Sequence, residues 1–339
     1  MAETVLSVQN ISVAYATPRG LVRAVNNVSF DLVKGEALAL IGESGSGKTT
    51  LSLSFIDMLS KNATVTTGEV LYSRDGKTRN VLELSAEAMR RFRWQDCAMV
   101  FQGAQNAFNP VLKVREQFAD TARAHGKNDR GWIKRRTLEL FKLVRLDPER
   151  IFDAYPHELS GGMKQRTLLA LGVLLDPQIV ILDEPTTALD ILTQRAIIDV
   201  LKEMQARLNF SIIFISHDLA LAAEMADRVA TMYAGEIVAQ GTVDNIFYAP
   251  LHPYTLGLLR SVPRLSGGRA ELTSIKGTPP DLINPPSGCS FHPRCPFASE
   301  KCQQDAPPLT EHEPGHLAAC WHTEQVVEAR ADLWEKVAP

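Results

Sequence analysis

Hydrophobic and polar positions alternate along the first ninety or so residues at the period of a strand. "VLSVQNISVAY" and "AVNNVSFDL" carry the alternation, and the shorter apolar runs "EALALIG" and "GEVLYS" continue it. From about residue 84 to 155 the pattern becomes charge-rich, and "EAMRRFRWQD" and "WIKRRTLELFKLVRL" predict helices, with "NAFNP" as a break. Beyond "ELSGGMKQRTLLALGVLLDP" the chain reads helix, strand "IVILD", helix "LTQRAIIDVLKEMQARL", strand "SIIFIS", helix. Strands alternating with helices predict a parallel sheet covered by helices. After "FYAPLHPY" (247–254) proline, glycine, cysteine and histidine displace the aliphatic pattern, which places a domain boundary near residue 245.

Composition adds limits to this picture. A chain of 339 residues predicts two units, or one core with an appendage. The balance of 36 basic and 39 acidic residues, net −3, does not point to nucleic acid. The N-terminus "MAETVLSVQN" carries Glu3 and lacks the apolar core of a signal peptide, and "TLLALGVLL" (167–175) reads as a buried helix rather than a membrane span. The expectation is a soluble, cytosolic protein. In that compartment disulfides are disfavoured, so clustered cysteines point first to metal.

Two motifs carry phosphate chemistry. "GESGSGKTT" (42–50) fits G-x-x-x-x-G-K-[ST] between an apolar strand and the helix "LSLSFIDML". Backbone N–H groups of Gly42, Ser44, Gly45, Ser46 and Gly47 can turn around phosphate oxygens, with Thr50 opening the helix beyond them. Lys48 reaches the β and γ phosphates in such a loop, and the Thr49 hydroxyl ligates Mg²⁺. "IVILDEP" (179–185) delivers Asp183 to the same metal and Glu184 as a general base for water. Either motif alone also fits a glycine-rich or acidic turn that binds nothing; together they predict a nucleoside triphosphatase.

"LSGGMKQR" (159–166) narrows the class. Ser160 can cap the helix that follows, and Gly161 and Gly162 leave backbone N–H groups open to close approach, making a second phosphate-binding helix terminus. This stretch resembles the signature sequence of ATP-binding-cassette ATPases. The resemblance implies an α/β P-loop NTPase core with an antiparallel β subdomain and a helical subdomain at about 84–160. It also implies a head-to-tail pair in which Ser160, Gly161 and Gly162 bind the ATP held by the opposite subunit. Tyr15 in "SVAYATPRG" matches the aromatic that stacks on adenine, and Gln102 in "VFQGAQNAFNP" the glutamine that contacts Mg²⁺ and attacking water. Asp190 in "TTALD" (186–190) matches the loop of communication between subunits, and His217 in "IFISHD" the histidine on the γ-phosphate. The family often continues its glutamine as "QDP"; here it is "QGAQNAFNP", which bears on the fit to a membrane partner. The resemblance covers about residues 5 to 260.

One phosphate loop, no membrane helices and no sustained heptads are the marks of an importer ATPase rather than an exporter, a translation factor or a chromosome-organising cassette. The tail is more specific. "YAPLHPYTLGLLRSVP" (248–263) and "NPPSGCSFHPRCPFASEKC" resemble the extension of dipeptide/oligopeptide importer ATPases, which divides the chain into a cassette (1–245) and an extension (246–339). Cys289, Cys295, Cys302 and Cys320, spaced C-x5-C-x6-C-x17-C, match cysteines that members of that family use to hold a 4Fe–4S cluster. Zinc is the alternative, with His292, His316 and His322 nearby as further ligands; Cys97 reads as a packed small hydrophobe. The tail is so poor in apolar residues that a thiolate-held metal is expected to cross-link it.

The family then implies an ATP- and Mg²⁺-dependent ATPase on the cytoplasmic face of the cell membrane. Its expected partners are a second, homologous ATPase, two permeases and an extracellular substrate-binding protein, with no nucleic acid. Di- or oligopeptides are the expected cargo, with nickel or oligosaccharides as alternatives. A soluble regulatory or repair cassette without membrane partners is the alternative from another class.

Overall fold

A computed structural model describes residues 3–101, 103, 107–187, 189–261 and 274–331. Two compact units form, each assembled from separate stretches of chain: Met1–Leu6, Asp31–Ala37 and Tyr72–Ile215 in the first, Ser7–Phe30, Leu38–Leu71 and Ser216–Pro339 in the second.

The first unit is organised on three parallel strands, Cys97–Val100, Ile179–Asp183 and Ser211–Ser216. Cys97 lies opposite Ile179, and Asp183 opposite Ile215. The last two strands are buried at every position, which is why "IVILD" and "SIIFIS" read as continuous apolar runs and not as alternating ones. Helices Val114–Ala124 and Arg130–Leu143 pack through Phe118 and Phe141, edge to face at 5.1 Å. Asp129 and Asp147 cap the starts of Arg130–Leu143 and Pro148–Asp153, where free N–H groups need an acceptor.

Two features depart from the expected run of helices here. Helix Ala86–Gln95 is broken at Arg93 and Trp94, with Trp94 at φ 73°, and the strand Cys97–Val100 follows at once. That strand has only four residues, too few for a period to show.

The second unit holds a sheet in which Gly20–Val33, Thr4–Thr17 and Ala63–Arg74 are neighbours in that order, the first two joined as a hairpin. It also holds the strand Ala37–Ile41, which pairs in parallel with Arg228–Tyr233. The hairpin Arg228–Tyr233 to Glu236–Thr242 turns on Ala234 and Gly235 at φ 49° and 85°, the left-handed pair that suits a tight β-turn. The expected reading passed over this hairpin.

The tail is built onto that hairpin. His316–Ala318 pairs antiparallel with Glu236–Thr242, Ala318 opposite Ala239, and Thr310–Glu313 adds a further strand outside it. Tyr254 and Phe291 pack with Tyr233 and Val238, and Leu256 with Val326. The tail is therefore held by backbone pairing and aromatic packing, contributions that its sparse apolar content did not lead one to expect.

Candidate functional site

The phosphate loop follows the buried strand Ala37–Ile41 and opens the helix Lys48–Phe55. Gly42 sits at φ 146°, and a Cβ there would lie 2.2 Å from the Met232 carbonyl oxygen. Gly47 sits at φ 102°, and its Cβ would lie 2.3 Å from the Ala24 carbonyl oxygen. No side chain fits at either position, so the glycines are a steric demand of the surrounding backbone. Gly235 donates its N–H to the Ser46 carbonyl at 3.0 Å, fixing the far side of the loop. Ser44, Gly45 and Thr49 are exposed, whereas Ser46 and Lys48 are buried. The Lys48 ammonium donates to the carbonyls of Gly42 (2.8 Å) and Glu43 (2.9 Å) and to Ser46 Oγ (3.2 Å). A buried cation facing oxygen acceptors, with Ser44, Gly45 and Thr49 exposed at the start of a helix, is chemistry suited to a polyphosphate.

Tyr15, half-buried on Thr4–Thr17, shares a 3.0 Å hydrogen bond between its hydroxyl and Thr50 Oγ1. That bond ties the candidate adenine platform to the helix after the loop. His217 is exposed immediately after Ser211–Ser216. The chain beyond it is held by Asp218, whose N–H donates to Ser216 Oγ at 2.9 Å and whose side chain caps Leu219–Met225.

In the first unit Asp183 ends its strand 2% exposed. Glu184 is next, at φ 49°, and its N–H donates to the Ile215 carbonyl at 2.9 Å. A left-handed backbone costs a residue with a Cβ on the order of 1–2 kcal/mol, and such strain collects at working sites. Thr187 Oγ1 donates to Glu184 Oε2 at 3.0 Å and steadies the carboxylate. Gln102 lies outside the described residues.

Ser160 caps Gly161–Gly172, its Oγ accepting from the Met163 N–H at 3.3 Å. Asp190 caps Ile191–Leu208: one oxygen accepts from the Thr193 N–H at 2.9 Å, the other from the Thr193 hydroxyl at 2.6 Å. The Thr193 hydroxyl and backbone hold the Asp190 carboxyl below the usual range. Thr193 also faces Gly162, where a Cβ would meet its methyl at 2.7 Å. The structure thus brings the glycine loop and the acidic loop to one threonine that sequence reading missed.

The four tail cysteines act on one another electrostatically. Burial pushes the Cys295 thiol up to about 12, with Cys320, Cys289 and Cys302 adding to the shift. Burial likewise pushes Cys320 up to about 11, with Cys289 and Cys302 contributing, and raises Cys289. The Phe297 N–H donates to Cys295 Sγ at 3.4 Å and the His322 N–H to Cys320 Sγ at 3.3 Å, an arrangement that suits anionic sulfur. All five cysteines are free thiols, and Cys97 is buried as expected.

Among the described residues, however, no group of three or more His, Cys, Asp or Glu side chains is gathered so as to hold a metal ion. Neither the zinc nor the 4Fe–4S expectation is borne out by a ready-made site. The histidines are also otherwise placed. His292 Nδ1 lies 3.0 Å from the Cys289 carbonyl, His322 Nε2 lies 2.8 Å from Ser299 Oγ, and the buried His316 ring makes no hydrogen bond among the described residues.

The ABC transporter family profile matches residues 25–187, and that of the oligopeptide/dipeptide transporter C-terminal region matches residues 238–302. The chain is similar to the dipeptide transport ATP-binding protein DppD of Bacillus subtilis (strain 168), 44% identical over 96% of this chain and 97% of that protein. It is 42% identical to the oligopeptide transport ATP-binding protein OppD of the same strain, over 93% of this chain and 88% of that one. Among solved structures it resembles the dimeric post-hydrolysis state of the ATP-binding cassette MJ0796 bound to ADP and Pi. That likeness has a TM-score of 0.60 and 26% identity, covering 70% of this chain and 98% of the other.

Proposed function

Because the chain belongs to the ATP-binding-cassette ATPases, in the group that serves dipeptide and oligopeptide transporters, we propose that it powers peptide uptake through partner permeases. The observation that carries this reading is the phosphate loop, whose Gly42 and Gly47 exclude any side chain and whose Lys48 is buried while Ser44, Gly45 and Thr49 are exposed.

Lys48 neutralises the β and γ phosphates, and the N–H groups of residues 44–49 surround them. Thr49 and Asp183 supply the hard oxygen donors that Mg²⁺ takes, with Gln102 as a further one; the ion would offset charge on the phosphates. Tyr15 stacks on adenine. Glu184, oriented by Thr187, accepts the proton of the attacking water, and His217 steadies the γ-phosphate. Ser160, Gly161 and Gly162 serve the ATP of a second, homologous ATPase, and Asp190 links the two sites. The cassette is read as residues 1–245, its helical part as about 84–160, and the extension as 246–339.

No described helix is long and apolar enough to cross a membrane. On this reading the chain is a peripheral subunit at the cytoplasmic face, working on two permeases fed by an external substrate-binding protein. The decisive test is reconstitution of these parts in vesicles. Peptide should stimulate ATP hydrolysis and accumulate in the lumen; stimulation by nickel or an oligosaccharide and not by peptide would overturn the cargo.

The four cysteines are proposed to hold a 4Fe–4S cluster, a reading supported by their mutual electrostatic interaction and by N–H groups directed at two sulfurs. When bound, the cluster would offset thiolate charge and cross-link the tail. Protein purified without oxygen should be brown, with about four irons per chain, and Cys295→Ser should lose the colour. Colourless protein with one tight zinc would overturn the cluster.

A further inference from the structure

The loop that cradles phosphate is gripped from the far end of the chain. Glu43 follows Gly42 in the loop, and its carboxylate accepts from both arms of the Arg294 guanidinium, Nη1 to Oε2 at 2.6 Å and Nη2 to Oε1 at 2.9 Å. The two residues are 251 positions apart. Arg294 is 5% exposed at its side chain and Glu43 28%. The Glu43 N–H also donates to the Tyr254 hydroxyl at 2.7 Å, so side chain and backbone of one loop residue are both held by the tail.

Arg294 is itself fixed on all sides. It lies over the Tyr233 ring at 5.7 Å, and its Nε donates to the Lys276 carbonyl at 3.0 Å. It ends the single turn His292–Arg294, directly before Cys295. Beside the pair, Ser44, Gly45 and Ser46 of the loop line a shallow surface cleft together with Pro279, Pro280 and Leu282 of the extension. On the inner side of the loop the Glu43 carbonyl accepts from Lys48. Contacts therefore run without a gap from Arg294 through Glu43 to the lysine that meets the phosphates.

We propose that Arg294 is a positioning residue for ATP: by clamping Glu43 it sets the shape of residues 42–46, so nucleotide affinity depends on the C-terminal extension. The physical ground is the bidentate fork. Two parallel charge-assisted bonds fix direction as well as distance, and a buried guanidinium has no comparable alternative acceptor. A shift of about 1 Å in a cradle of N–H donors is enough to cost on the order of a hundredfold in function.

The test measures the Kd of Mg-ATP on the full chain for Glu43→Gln, Arg294→Ala and the double variant, with Tm recorded for each. Each single variant should weaken Mg-ATP roughly tenfold, and the double variant no more than the worse single one, as residues acting as one unit require. The loss should persist near 1 M salt, where the Debye length is about 3 Å and a bare charge effect is screened. Unchanged or tighter binding in Glu43→Gln overturns the proposal, as do additive losses in the double variant. If Arg294→Ala does not fold, Arg294→Lys replaces it: charge kept and fork lost should still weaken Mg-ATP, and wild-type affinity in that variant overturns the proposal.

Discussion

Two glycine loops open helices in this chain, and they are shaped by different means. In the loop before Lys48–Phe55 the glycines are imposed from outside: carbonyl oxygens of Met232 and Ala24 occupy the space where side chains would stand, and the helix start has no side-chain cap. In the loop before Gly161–Gly172 a serine side chain does the capping, and the nearest obstacle to a Cβ on Gly162 is the methyl of Thr193. The first loop is walled by backbone that cannot yield, so it is complete within one chain. The second is held at its base by the Ser160 cap, with Ser160 exposed, and is proposed to offer its donors to a nucleotide that another chain presents. Completeness in one loop and openness in the other are what the proposed sharing of two nucleotides by a pair of ATPases would require.

The sharpest way to break this comparison is to place one methyl in each loop. Gly47→Ala puts a Cβ against the Ala24 carbonyl at a strained φ of 102°, and should abolish Mg-ATP binding and destabilise the chain by roughly 3 kcal/mol or more. Gly162→Ala should leave Mg-ATP binding by the isolated chain intact while lowering ATPase of the assembled pair at least about tenfold, since its Cβ presses on the Thr193 methyl at 2.7 Å and crowds the loop proposed to serve the partner's nucleotide, away from the loop at 42–47. Nucleotide titration beside a turnover assay reads both, and normal binding by Gly47→Ala would sink the comparison.

Glu184→Gln sharpens it. Hydrolysis should fall by about two orders of magnitude or more through loss of the general base, while ATP is retained and the pair stays closed. Amide exchange should then show residues 160–162 newly protected only in this variant with ATP, and residues 42–47 protected whenever nucleotide is bound. Equal protection of both loops in a monomer would contradict the assignment.

Smaller effects separate the caps. Ser160→Ala removes the acceptor for the Met163 N–H and should cost about 1 kcal/mol in denaturant unfolding, with weakened pairing but unchanged ATP binding by the single chain. Tyr15→Phe deletes only the bond to Thr50 and should cost about 0.5–1.5 kcal/mol of stability. Its ATP affinity should stay near that of the unaltered protein, because the ring proposed to stack on adenine is kept.

Much of the cassette was legible before any coordinates. Apolar runs such as "IVILD" and "SIIFIS" announce buried parallel strands because both faces of those strands are covered. The phosphate loop, the acidic pair and the signature serine are local: each motif lies within a few residues, on a strand end or helix start that its own pattern predicts. Local chemistry is also why Asp190 could be named. The Thr193 that links Asp190 to Gly162 could not, since one threonine on a helix looks like any other.

The sequence by itself determined that the chain binds and hydrolyses nucleotide, because glycine, lysine and carboxylate spacing is dictated by the size and charge of a triphosphate. Tertiary structure alone decided how the tail is built and what it touches. Four exposed residues, "TEHE", and three more, "HLA", show no strand period, and become strands only because the edge of Glu236–Thr242 offers unpaired N–H and C=O groups. The pairing of Arg294 with Glu43 likewise depends on a fold that returns the chain after 251 residues. Charge complementarity is cheap to write anywhere in a sequence; its meaning comes from burial and distance, and those belong to the folded state.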